Sequence, residues 1–153
     1  MKKLWIATML IFGISLRAAP PGMVEFVSRY DVEHTVRRLI NDLRERGIRL
    51  VKVVDHAEGA RSVNMKLRPT KLVIFGNPYI GTPLMQCAQT LAIDLPQKML
   101  VYQNVKGEVI VAYNDPRYLF RRHGVRRDCS AEIQKKVKVV LAKLAKYAAG
   151  EEE

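Results

Sequence analysis

A chain of 153 residues with 48% hydrophobic and 27% charged residues is long enough to bury the core of one domain, and its balance excludes a disordered, fibrous or low-complexity protein. Its formal charge of +11 turns attention to anionic partners. Two cysteines are too few for a disulfide scaffold, and with no CxxC, no HExxH and no close histidine pair there is no signature of structural zinc.

Met1-Lys2-Lys3 opens the chain with positive charge, Leu4 to Leu16 is almost unbroken apolar sequence, and Arg17-Ala18-Ala19-Pro20-Pro21 closes it with small residues and a proline break. That order is the layout of a secretory signal. The run is shorter than the ~20 apolar residues of a comfortable bilayer span. Cleavage is expected after Ala18, because Pro20 hinders a cut one residue later. Leu16 and Arg17 make the site imperfect, so an uncleaved membrane tether is the alternative. The expected organisation is a signal over 1–18, a single domain over 23–149 and a disordered tail over 150–153, in a protein exported to the periplasm or outside the cell. Loss of Lys2, Lys3 and Arg17 leaves the domain basic. Its expected partners are then an anionic small molecule, a membrane surface or an acidic protein, and not nucleic acid. Cys87 and Cys129 could form one disulfide there; the sequence leaves their pairing open.

Val24 to Tyr30 alternates as a strand does. Asp31 can cap a helix whose apolar positions are Val32, Val36, Leu39, Ile40 and Leu43, with Gly47 ending it. Ile48 to Val54 reads as a second strand, Asp55 to Arg68 is irregular, and Leu72 to Phe75 is a short apolar strand closed by the turn Gly76-Asn77-Pro78. Thr82 followed by Pro83 predicts a helix start, with Leu84, Cys87, Ala88 and Leu91 as its buried stripe. Met99 to Gln103 and Val109 to Tyr113 flank Asn104-Val105-Lys106-Gly107 as a hairpin. Asn114-Asp115-Pro116 starts a short helix, and an amphipathic helix follows from about Ser130 with Ile133, Val137, Val140, Leu141 and Leu144 on one face. Strands joined by helices and one hairpin predict an α+β fold, with a mixed or antiparallel sheet and helices on one side.

Gly76 to Gly81 imitates a phosphate-binding loop between strand and helix. Thr82 stands where a lysine is needed, and Pro78 and Pro83 remove two backbone donors, so nucleotide hydrolysis is not indicated. His34 reads as a surface residue. His56 follows a strand end beside Asp55, with Glu58 two residues on. His123 ends the short helix and leans with Leu119 toward the apolar side, whereas Arg117 and Arg121 share another face. Arg117, Arg121, Arg122, Arg126 and Arg127 concentrate positive charge, which serves either as a solvated surface or as a dock for an anion. No GxSxG nucleophile elbow is present.

From His56 onward the chain resembles the bacterial and archaeal family called domain of unknown function 302. Asp55-His56-Ala57 with Ala60, Leu67-Arg68-Pro69, Phe75-Gly76-Asn77-Pro78 and Gly81-Thr82 with Leu84-Met85 carry the likeness. So do Asp94-Leu95-Pro96, Lys106-Gly107, Tyr113-Asn114-Asp115-Pro116, Tyr118-Leu119 and Arg122-His123-Gly124. Cys87 and Cys129 stand outside that pattern, and the family's usual glycine before Leu67 is replaced by the Asn64-Met65 neighbourhood. The resemblance implies a two-layer α+β fold with a mostly antiparallel sheet and helices packed on one face, commonly assembled as a homodimer, with no agreed activity.

Three functional readings follow. The leading one is a binding module with a pocket or dimer groove lined by His56, Tyr113, Tyr118 and His123. It would hold haem, a transition metal or a small anionic ligand, with His56 and His123 as metal ligands, Met85 as a further axial candidate and Arg117, Arg121 and Arg122 for anions. The second is an enzyme with His56 as general base beside Asp55. The third is a dimeric scaffold whose histidines only satisfy hydrogen bonds.

Overall fold

The computed structural model describes residues 19–151. The expected signal over 1–18 and the last two residues of the expected tail lie outside the described residues. Five strands and five helices run in the order β1 (Met23–Ser28), α1 (Val32–Glu45), β2 (Arg49–Asp55), α2 (His56–Ser62), β3 (Thr70–Gly76), α3 (Pro78–Cys87), β4 (Gln97–Gln103), β5 (Val109–Asn114), α4 (Pro116–Arg122) and α5 (Ala131–Ala149). The strands form one sheet in the order β1-β5-β4-β3-β2 with every pair antiparallel, so the fold is α+β.

Local chemistry starts each element. Asp31 caps α1 by accepting from the His34 N–H at 2.7 Å, and the buried Thr35 hydroxyl donates to the Asp31 carbonyl at 2.7 Å. The spacing of Val32, Val36, Leu39 and Leu43 then turns one face of the helix inward, and all four are buried. Asp55 caps the short α2 through the Glu58 N–H at 2.9 Å. That helix was not foreseen because Gly59 and a mostly polar sequence carry no apolar period.

The start of α3 corrects the expectation of a cap at Thr82. Asn77 is the cap, accepting from the Tyr79 N–H at 2.9 Å, and Pro78 takes the first helical position. Pro83 instead lies inside the helix, where it leaves the carbonyl one turn earlier without its donor. The helix ends at Cys87, and a 3-10 turn over Gln89–Ile93 carries Leu91 back into the core. Buried Gly150 closes α5 with φ 81°, its N–H donating to the Tyr147 carbonyl at 3.1 Å.

Val73, Phe75, Met99, Val101, Val111 and Tyr113 from alternate strand positions form one core with Leu39 and Leu43 of α1 and Leu141 and Leu144 of α5. The two long helices are also tied at their surface. The Arg38 guanidinium lies over the rings of Tyr30 and Tyr147, at 4.9 and 4.4 Å from their centroids. It donates from Nε and Nη2 to the Tyr147 carbonyl at 3.0 and 2.8 Å. Cys87 at the end of α3 is disulfide-bonded to Cys129 in the loop before α5, with a Cα–Cα distance of 5.9 Å.

Candidate functional site

Strand direction decides which candidate residues can meet. Because neighbouring strands run antiparallel, the start of β2 pairs with the end of β3 (Arg49 with Gly76), and Met23 pairs with Asn114. The turns leading to α3 and α4 therefore lie at one end of the sheet. His56, which follows the end of β2, lies at the other, with the β4–β5 hairpin.

His56 is exposed at the first position of α2. Asp55 does not orient its imidazole. The carboxylate binds the Glu58 N–H and stands 3.4 Å from Lys71 Nζ, and Lys71 also pairs with Glu33. The Glu58 N–H, ahead of Lys71, holds the Asp55 carboxyl below the usual carboxylate range.

His123 is nearly buried, its side chain 7% exposed, and both ring nitrogens are engaged. Nε2 lies 2.6 Å from Asp94 Oδ2 and Nδ1 lies 3.0 Å from Thr90 Oγ1. Arg122 reaches the same Asp94 oxygen at 3.4 Å. His123 and Arg122 thus fasten the end of α4 to the 3-10 turn. One protomer does not bring His56 and His123 to a shared haem or metal, and His123 offers no free nitrogen to either. No group of three or more His, Cys, Asp or Glu side chains among the described residues is placed to hold a metal ion. Tyr118 is set apart as well: its ring covers Gly22, where an added Cβ would run into Cγ of the ring.

Tyr113 and Arg117 share one hollow, and Arg117 and Arg121 share an adjoining one. Between α4 and α5 lie two hollows of about 340 and 590 Å³ that share Asp115 and Arg117 as walls. Arg121 and Arg127 line one, and Lys138, Lys143 and Lys146 line the other, while Asp115 is the one carboxylate in either wall. Arg117 grips that carboxylate with Nη2 at 2.7 Å and Nε at 3.1 Å from Asp115 Oδ2, which holds the Asp115 carboxyl below its ordinary value. Tyr113, 6% exposed, lines the same trough. Burial, and then the negative charge of Asp115, push its phenol above the usual range, so at neutral pH it remains a hydroxyl able to donate a hydrogen bond.

The arginines of α4 were legible in the sequence, since a spacing of four puts Arg117 and Arg121 on one face. Arg127 was noted there only as part of a cluster. The three lysines of α5 were missed, although they fall outside the apolar stripe of Val137, Leu141 and Leu144; they line the hollow beside Arg117.

The family described as Domain of unknown function DUF302 matches residues 24–144. The protein named Fluoride-specific ion channel FluC 1 of Brucella suis biovar 1 (strain 1330) is 37% identical over 131 residues, which cover 85% of this chain and 51% of that protein. Fluoride-specific ion channel FluC 1 of Brucella abortus biovar 1 (strain 9-941) is also 37% identical over 131 residues, covering 85% of this chain and 48% of that protein. The chain thus spans about half the length of the curated relatives it matches. A crystal structure of an uncharacterized conserved DUF302 protein from Bacillus stearothermophilus superposes with a TM-score of 0.74 at 17% identity, covering 84% of this chain and 99% of that one.

Proposed function

This chain belongs to the DUF302 family, and from that premise we propose that it is an exported, homodimeric binding module for a small anionic ligand held between α4 and α5. The observation that supports this reading is the trough itself, where Arg121, Arg127, Lys138, Lys146 and the Tyr113 phenol line walls whose one carboxylate Arg117 already neutralises. Such a surplus of donors in a concave site recruits an anion by field and fixes it by hydrogen bonds. The Cys87–Cys129 disulfide supports export, because such bonds persist in oxidising compartments. The enzymatic alternative rests on His56 alone and receives less support, since Asp55 faces Lys71 and the Glu58 backbone instead of the imidazole.

The names of the Brucella relatives favour a second reading of the ligand, that the anion is fluoride. No described helix is long and apolar enough to cross a membrane, so on this reading the matched half contributes anion contact beside the bilayer. Calorimetric titration with citrate, inorganic phosphate and sodium fluoride, against wild type and the double variant Arg121→Glu/Lys138→Glu, tests both readings. The anion reading expects saturable binding that the variant weakens about tenfold or more. Preference for fluoride selects the second reading. Absence of binding by all three, or equal binding by the charge-reversed variant, refutes the trough as the site.

A further inference from the structure

A second concavity lies at the opposite side of α5. Two hollows of about 330 and 280 Å³ share Gly76, Asn77, Ile80, Gln97 and Val137 as walls and make one cleft beneath the start of α3. The interior is apolar: Leu84, Met85 and Leu95 line one part, and Phe75, Val140 and Leu141 the other. Its charged lining residues are all cations, Arg49 on the edge strand, Arg46 just past α1 and Lys136 on α5, with no carboxylate among them. Arg46 is held by Asp42 at 2.8 Å. The edge strand is itself interrupted here, because the pairing of β2 with β3 slips between Leu50 and Lys52. The residue released by that bulge, Val51, lines the cleft while 53% exposed. A bulge re-aims a side chain out of the ladder, and here it gives the mouth an apolar lip beside the Arg49 guanidinium.

We infer that this cleft binds a single-chain amphiphilic anion, a medium-chain aliphatic carboxylate whose tail lies along Ile80, Leu84 and Val137 and whose head meets Arg49 and Lys136. A hollow of this size suits a small-molecule ligand. The charge of its rim selects among apolar ligands, since a neutral head leaves the cations unpaired while a carboxylate accepts from them. This site is separate from the α4–α5 trough and does not depend on what that trough holds.

The test is isothermal titration of the full chain with decanoate below its micelle concentration, and in parallel with 1-decanol. Wild type binds decanoate about tenfold or more tightly than 1-decanol, and Arg49→Glu removes most of that difference. Ile80→Trp fills the cleft and abolishes binding of both. If that variant fails to fold, Val51→Trp, at an exposed position, blocks the mouth instead. Wild type that does not bind decanoate, decanol that binds as tightly, or tryptophan variants that are folded and bind normally each overturn the proposal.

Discussion

Replacing Cys87 and Cys129 together by alanine opens a loop whose ends are 42 residues apart. The chain-entropy relation assigns closure of such a loop about 4 kcal/mol at 25 °C, because the linked unfolded chain has fewer conformations to lose. For a domain of this size that free energy corresponds to a fall in melting temperature of roughly 10–15 °C. Both cysteines are only half-buried, so lost packing adds little. The assay is scanning calorimetry with matched urea titrations on wild type, wild type with reductant, and the double variant. The reduced wild type and the variant should agree, and both should show a larger urea dependence, since an unlinked unfolded state exposes more surface. A thiol assay on unfolded, unreduced wild type should find no free cysteine. If the variant melts within about 3 °C of wild type while its urea dependence stays unchanged, the link does not restrain the unfolded chain and the calculation is wrong.

Gly22→Ala should cost at least about 1–2 kcal/mol in urea denaturation, because φ is 81° there, with a further loss from the displaced Tyr118 ring. In a Tyr118→Ala background the same substitution should cost only the backbone share, so equal losses in both backgrounds would refute the steric account. The carboxyls of Asp55 and Asp115 are both held below 3.8. Depressed folded values make their contribution fully present above pH 3.8 and lost as the pH falls through the lower folded values. Asp55→Asn/Asp115→Asn, which keeps a cap at both helices, should therefore flatten the acid limb of a stability-against-pH curve; an unchanged limb counts against those pairings.

Helix α1 was readable because Asp31, the spacing of four and three, and Gly47 all agree. The β4–β5 hairpin was equally plain from Asn104 and Gly107. Helix α3 was misread because Pro83 looks like a first-turn proline, whereas Asn77-Pro78 already supplied cap and start. In the site, a single element was legible and its partner was not: Arg117 and Arg121 share a face by local spacing, but nothing local says that α5 brings Lys138, Lys143 and Lys146 to the hollow that Arg117 lines. Both family-matching histidines looked alike in sequence, each near an element end. Only the alternation of strand direction sends His56 and His123 to opposite ends of the sheet.

The position of β1 has a consequence for how the chain reaches this state. Its one neighbour in the sheet is β5, with Val24 beside Tyr113 and Phe26 beside Val111. Among the described strands, the first to be made thus has no ladder to join until the last exists. Closing so long a segment delays its docking, and topologies rich in such distant pairings fold slowly. The α5 helix, against which β1 also packs, is made later still. A nascent chain that has released only its first half holds β2 and β3 but not the partner of β1, so it cannot complete this sheet.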